Sequence, residues 1–292
     1  MTYRLPPDVD RRPIAVVGAG TLGRRIATVY AAGGSDVRIF DPSPAQLQEA
    51  GAFVAEQMEQ MRGVLGLGAA ARGAVHLCSS LPDAVAGAWM VVEAAPENVD
   101  LKTEIFGELD EITARDVILC TNSSSLSSSR LIGQVRHRER VLNTHFQMPP
   151  EANGIELMSC GETGEGLIDA LMEKLPQYGL APFKVLRESD GFIFNRVWAA
   201  IKRECLMVVE EGVATPQDVD ALWEIFNRHG LPPFRLMDQI GLDVVLAIEE
   251  HYAAVREGIP KGPRLLLRQY VAEGRLGLKT GRGFYDDAGN PA

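Results

Sequence analysis

From Pro13 to Val185 the sequence alternates short apolar, β-branched runs with longer amphipathic stretches. That rhythm fits a parallel sheet, because parallel neighbours need a crossover long enough to hold a helix. Strands are predicted at Ile14 to Val17, Val37 to Phe40, Met90 to Glu93, Val117 to Cys120, Val141 to Thr144, Ile155 to Met158 and Phe183 to Val185. Thr21 to Ala32 sets Ile26, Val29 and Tyr30 on one helical face, and Pro44 to Arg62 predicts a longer helix capped by Ser43 and opened by Pro44. Residues 63 to 74 are rich in Gly and Ala and carry no period, so a loop or a frayed helix end is expected there. After Ser189-Asp190-Gly191 the strand signal stops. Phe192 to Glu211 has a helical apolar period, and further helices are expected at Pro216 to Phe226, Val244 to Arg256 and Pro263 to Glu273. Turns at 230 to 233 and at Gly258-Ile259-Pro260 separate them. The reading is an α/β, mostly parallel sheet domain over residues 1–188 and an all-α domain over 189–292.

Gly18-Ala19-Gly20-Thr21-Leu22-Gly23 follows the first strand and opens the first helix. In that setting Gly18 permits a tight turn, Gly20 lets the backbone approach a pyrophosphate, and Gly23 lets the helix pack closely. The free N–H groups of the first turn, Thr21 and Leu22 included, favour an anion there. The second strand is followed by Asp41, about 20 residues after the glycines, where a carboxylate can accept hydrogen bonds from ribose hydroxyls. Loop and carboxylate together predict a Rossmann-type dinucleotide site. Asp41 would repel a 2′-phosphate, so NAD is expected rather than NADP.

Composition narrows the remaining classes. The 29 Lys and Arg against 39 Asp and Glu, a net charge of -10, argue against a nucleic-acid or anionic-membrane surface. Cys78, Cys120, Cys160 and Cys205 have no metal-ligand spacing and are expected to be reduced core thiols. No run approaches the ~20 apolar residues of a membrane span, and no targeting segment is read at the N-terminus, so a cytoplasmic enzyme is expected.

Four segments gather polar chemistry: Thr121-Asn122-Ser123-Ser124-Ser125, Asn143-Thr144-His145-Phe146, Gly154-Ile155-Glu156-Leu157, and Asp190-Gly191-Phe192-Ile193-Phe194-Asn195-Arg196. Three are read at strand ends, where open α/β sheets bind ligands, and the fourth opens the helical domain. With the interval from Ser124 to His145 and the terminal Lys279-Thr280-Gly281-Arg282-Gly283-Phe284-Tyr285, they resemble the L-3-hydroxyacyl-CoA dehydrogenase family from Gly18 to Tyr285. The resemblance implies that His145 is the catalytic base and Glu156 its partner, with Ser124 and Asn195 bonded to the substrate oxygen. It also implies that Glu97, Lys102 and Lys279 lie against the cofactor, and that the helical domain pairs as a homodimer. The chemistry agrees with this assignment. Oxidising a secondary alcohol removes the hydroxyl proton, which suits an imidazole at neutral pH, and a carboxylate on its second nitrogen fixes the tautomer. Donors such as Ser124 and Asn195 at a developing oxyanion are worth about 2.7 to 4 kcal/mol.

Taken singly, these residues also have plainer readings: His145 as a structural hydrogen-bonder, Glu156 as an edge-strand carboxylate, Ser124 as part of a turn, Asn195 as a helix cap. His76, His137, His229 and His251 match no motif. Trp198, Trp223 and Phe226 are expected in the core of the helical domain. The chain departs from the family where a serine and a lysine contact CoA: Gln57 and Val64 stand there, with Arg62 the nearest cation, and Met148 replaces an asparagine. Two further readings therefore stay open. One is a dehydrogenase of a free 3-hydroxy acid, similar to the L-gulonate 3-dehydrogenase and lambda-crystallin branch. The other is a non-catalytic NAD-binding protein.

Overall fold

A computed structural model describes residues 5–68, 72–226 and 232–286. By Cα proximity the chain forms two compact units, Met1–Ile193 and Phe194–Ala292. The first unit extends past the expected boundary at 188/189 because Phe192 packs on Met158 and Val185, and the Ile193 N–H is bonded to Glu156.

The first unit holds one eight-stranded sheet built from β1 (Ile14–Val17), β2 (Val37–Phe40), β3 (Val75–Cys78), β4 (Met90–Glu93), β5 (Ile118–Thr121), β6 (Val141–Met148), β7 (Ala152–Ser159) and β8 (Ala181–Val185). Their order across the sheet is β3-β2-β1-β4-β5-β6-β7-β8. Every neighbouring pair is parallel except β6 with β7. Successive side chains of β1 enter opposite cores: Ile14 and Val16 face one cluster, Ala15 and Val17 the other. Helices α1 (Thr21–Ala32), α2 (Pro44–Val64) and α5 (Leu167–Lys174) cover the first face through Ile26, Val54 and Leu171. The helices α3 (Leu81–Val85) and α4 (Val99–Ile112) cover the second through Val85, Phe106 and Leu109. Both faces being covered explains why the central strands read as unbroken apolar runs. The Ser43 hydroxyl caps α2 by accepting from the Gln46 N–H at 3.4 Å.

Several sequence expectations need correction. Strand β3 was missed: it is an edge strand, and Val75-His76-Leu77-Cys78 lacks the apolar continuity of a buried one. Its Cys78 is half-buried and not a core thiol, whereas Cys120, Cys160 and Cys205 are buried. Strands β6 and β7 run further than read, because antiparallel pairing continues through a bulge to Met148↔Ala152. His145 and Glu156 therefore lie inside strands and not at their ends.

In the second unit α6 (Phe194–Glu210), α7 (Pro216–Phe226), α8 (Pro233–Ile240), α9 (Leu242–Val255) and α10 (Gly262–Ala272) enclose a core of Leu206, Phe234, Met237, Val245, Leu267 and Phe284. Helix α8 was hidden by two prolines, which here occupy its cap and first turn. Phe226 is 81% exposed, against the expectation of a core position, and Trp198 and Trp223 are half-buried. His229 and the first half of the turn at 230 to 233 lie outside the described residues. The terminal Gly283-Phe284-Tyr285 has a structural role: buried Asp238 accepts from the Phe284 and Tyr285 N–H groups, both at 3.0 Å. Asp220 takes the Tyr285 hydroxyl at 2.8 Å. Burial raises the pKa of both carboxyls, and the hydrogen bonds they accept only partly offset it.

Candidate active site

The loop from β1 to α1 is shaped by its glycines for two different reasons. Gly18 has φ +104°, and a Cβ there would sit 2.6 Å from the Ala94 carbonyl oxygen. At Gly23 a Cβ would lie 1.9 Å from the Gly18 carbonyl oxygen, which no side chain survives. Gly20 differs, because a Cβ built on it meets nothing within 4 Å. Its small size is thus not required by the protein's own packing, and the space beside it fits the close backbone approach of a pyrophosphate. Gly20 is also the N-cap of α1, and neither a capping side chain nor an acidic residue occupies the first turn, where Thr21 and Leu22 stand. That leaves N–H groups and a partial positive charge for phosphate. Asp41 closes the site from β2, accepting from the Ala19 and Ser43 N–H groups, both at 2.8 Å. These residues fit a dinucleotide.

Beyond β4 and β5 lies a charged network that sequence reasoning found only in part. Glu93, buried at the end of β4, accepts from Lys102 Nζ at 2.7 Å, the Ala95 N–H at 2.6 Å and Thr121 Oγ1 at 2.7 Å. Lys102 is 1% exposed, so it braces the loop from beneath, with Glu97 Oε2 at 3.6 Å. Glu97 accepts from the Ser123 hydroxyl, from Ser125 Oγ at 2.7 Å and from the Ser125 N–H at 3.2 Å. Burial pushes the Glu97 pKa up, but the serine bonds and Lys102 more than reverse this and hold it below its ordinary value. Ser124, between those two serines, is exposed at the end of the sheet. Two asparagines, present in the polar segments but given no role of their own from sequence, stitch this loop to β6. Asn122 Oδ1 accepts from the Phe146 N–H at 2.9 Å, and Asn143 bonds the Ser128 N–H at 2.7 Å and the Leu126 carbonyl at 2.9 Å. Their signal was a polar residue in an otherwise apolar strand or at its end.

His145 and Glu156 are directly opposed in the β6/β7 ladder. Nδ1 of His145 lies 2.8 Å from Glu156 Oε2, with both side chains buried. Glu156 also accepts from Gln147 Nε2 at 3.1 Å and from the Ile193 N–H at 2.7 Å. The last bond depends on a strained turn. Gly191 has φ +76° and Phe192 has φ +53°, which is costly for a side chain with a Cβ and is characteristic of functional sites. Phe192 in turn lies with its ring centroid 5.0 Å from that of His145. The imidazole is thus held at one nitrogen by a carboxylate and against one face by a ring.

The structure brings Ser124, His145 and Glu156 to the carboxyl-end side of the first unit's sheet, together with Asp41 and Glu97. Asn195 is in the first turn of α6 in the second unit. Lys279, also in that unit, is paired with Asp243 at 2.9 Å and 3.0 Å. Among the described residues no cluster of His, Cys, Asp and Glu could hold a metal, and no helix is long and apolar enough to cross a membrane.

A glycine loop that admits a pyrophosphate, a carboxylate at the second strand and a buried His/Glu pair define a nicotinamide-dependent dehydrogenase. The 3-hydroxyacyl-CoA dehydrogenase NAD-binding domain matches residues 13–189, and the C-terminal domain of the same family matches residues 191–287. The chain belongs to the 3-hydroxyacyl-CoA dehydrogenase family and is an NAD-dependent oxidoreductase of that type. It is 32% identical over 283 residues to the probable 3-hydroxybutyryl-CoA dehydrogenase of Bacillus subtilis, covering 95% of this chain and 98% of that one. It is 29% identical to the 5-formyl-3-hydroxy-2-methylpyridine 4-carboxylate 5-dehydrogenase of Mesorhizobium japonicum, over 94% of this chain and 90% of the relative. The crystal structure of (S)-3-hydroxybutyryl-CoA dehydrogenase PaaH1 from Ralstonia eutropha superposes with a TM-score of 0.82 at 32% identity, covering 94% of this chain and 98% of that one.

Proposed function

We propose that this enzyme interconverts a 3-hydroxyacyl and a 3-oxoacyl compound, with His145 as the general base. The observation that carries the reading is the 2.8 Å bond between His145 Nδ1 and Glu156. With Nδ1 committed as donor to the carboxylate, Nε2 is the nitrogen that takes the proton from the 3-hydroxyl, and Glu156 stabilises the imidazolium that results. Bound NAD supplies the hydride exchange. Ser124 would donate to the oxygen as charge develops on it, and the family resemblance gives Asn195 the same role. Asp41 would hold the adenosine ribose and Glu97 would lie against the cofactor, and the family resemblance gives Lys279 a cofactor role as well.

A CoA thioester is the first reading of the acyl group, supported by the names of the Bacillus and Ralstonia relatives. A free acid is the second, and two observations favour it. Arg62, the cation nearest the positions where the family contacts CoA, donates to the Ala32 carbonyl at 2.9 Å and the Gly68 carbonyl at 2.6 Å. The Mesorhizobium relative is named for a carboxylate without CoA. NADH oxidation with acetoacetyl-CoA beside acetoacetate separates the two. Turnover of the thioester supports the first reading, turnover of the acid alone supports the second, and turnover of neither contradicts the 3-oxo assignment. We also propose homodimerisation through the helical unit, whose Leu222, Ile225 and Phe226 are exposed apolar side chains.

A further inference from the structure

Lys202 lies on α6 with 2% of its surface exposed, and among the described residues no hydrogen bond or ion pair reaches its ammonium. The anion that acts on it is buried Glu249 of α9. That carboxylate is already held at both oxygens by Arg203, Nε at 2.9 Å and Nη2 at 3.3 Å. Two cations thus share one carboxylate, and Lys202 has no ion-pair partner of its own among the described residues. Burial drives the Lys202 pKa down to about 8, with Glu249 opposing and Arg203 adding to the fall. An aliphatic side chain would fill the same position without this cost, and an ammonium that shares its one carboxylate with an arginine is suited to receive a further anion.

The helix register places Lys202 on the face of α6 that carries Asn195. Asn195, Ala199 and Lys202 follow one another at i, i+4 and i+7, which is one face of α6. Helical side chains lean toward the N-terminus, so the lysine stem leans over the small Ala199 toward the turn that carries Asn195. The two Cα atoms are about 10 Å apart along the axis, and the long stems of both residues shorten the gap between their polar ends.

We propose that Lys202 is the counter-ion of a carboxylate carried by the substrate, so that the preferred substrates are 3-hydroxy or 3-oxo compounds with a free carboxylate. The proposal rests on the reading of Asn195 as a donor to the 3-oxygen, which sets the carboxylate on the same helical face. Two sources share this chemistry: the C1 carboxylate of a free 3-hydroxy acid, and the far carboxylate of a dicarboxylic acyl thioester. An ammonium suits either, being a compact point charge with three donors.

The test is steady-state NADH oxidation by wild type, Lys202→Met and Lys202→Arg, with acetoacetate, 3-oxoadipyl-CoA and acetoacetyl-CoA. Lys202→Met is expected to raise KM for the carboxylate substrate by about a hundredfold, the usual scale for removing one partner of a buried charge pair. It should leave kcat, and the kinetics of acetoacetyl-CoA, whose acyl group carries no carboxylate, within about threefold of wild type. Lys202→Arg should keep the preference for a carboxylate. Whichever of acetoacetate and 3-oxoadipyl-CoA suffers the loss identifies the source. An equal loss on all three compounds, or none on any, overturns the proposal. So does a Lys202→Met enzyme that becomes monomeric with unchanged selectivity, which assigns the anion to a second copy of the chain. If no compound is turned over, the 3-oxo reading fails by itself, and malonate titrated into the NADH complex by calorimetry tests Lys202 separately. Binding to wild type that is lost in Lys202→Met supports the counter-ion role, and equal binding or none overturns it.

Discussion

Replacing Glu156 by Gln removes one charge and almost no volume, which makes it the sharpest perturbation of the His145 pair. Three donors converge on this carboxylate: His145 Nδ1 at 2.8 Å, Gln147 Nε2 at 3.1 Å and the Ile193 N–H at 2.7 Å. A carboxylate can accept from all three, whereas an amide has one acceptor oxygen and an NH2 that must face one of the former donors. If the NH2 turns to Ile193 it opposes a backbone N–H that cannot move far, because Phe192 before it is fixed in a left-handed conformation. If the NH2 turns to His145 it donates to Nδ1, the ring proton moves to Nε2, and the nitrogen needed as base is blocked. Loss of a hydrogen bond to a charged group costs about 1.5 to 3 kcal/mol, roughly 10- to 150-fold. Tautomer reversal in a comparable triad costs ~10^4-fold in kcat. We expect kcat/KM to fall between about 10^2- and 10^4-fold, with a changed pH–rate profile and an unchanged Kd for NADH. A variant within about threefold of wild type across the pH range would refute the orienting role of Glu156.

The glycine loop separates packing from binding. Gly23→Ala should destabilise the fold severely, because its Cβ would lie 1.9 Å from a carbonyl oxygen, while Gly20→Ala, with nothing within 4 Å, should leave Tm nearly unchanged and weaken NADH binding. Thermal denaturation and NADH titration of both variants check this, and equal Tm losses would contradict it. Asp41→Ala should weaken NAD more than NADP, measured as the ratio of their kcat/KM values, since the carboxylate that discriminates against the 2′-phosphate is gone. Lys202 gives a pH-dependent stability of definite sign. Its pKa falls from 10.5 to about 8 on folding, so the penalty is fully present below pH 8 and lifts as pH rises toward 10.5, where the unfolded chain binds the extra proton. Wild type should gain about 3 kcal/mol relative to Lys202→Met over that window in urea unfolding, and a flat difference would contradict the buried charge.

What could be read in the sequence follows from how far each signal depends on distant residues. Ile14 to Val17 and Met90 to Glu93 announced themselves because both of their faces are buried, so every position is apolar or terminal. Strand β3 had no such signal: at an open edge, His76 and Leu77 are exposed and their pattern resembles a loop. The first unit's site was legible in its parts, since the glycine loop, Asp41, His145 and Glu156 stand in recognisable local settings. Its wiring was not. The interval between His145 and Glu156 acquires meaning only from the antiparallel register that sets them opposite each other. The buried Glu93–Lys102 pair joins the end of β4 to α4, and no local pattern marks it. Phe226 misled for the reverse reason, because an aromatic at helical spacing implies a core, and only the fold shows that it is exposed among the described residues.

The decisive variant is His145→Gln. Turnover with the active 3-oxo substrate and the Kd for NADH should be measured on the same preparation. A loss of at least about a thousandfold in kcat with NADH affinity unchanged is expected, because the base is removed while the glycine loop and Asp41 are untouched. Turnover retained within about tenfold would show that the proton leaves by another group and that the His145–Glu156 pair is structural.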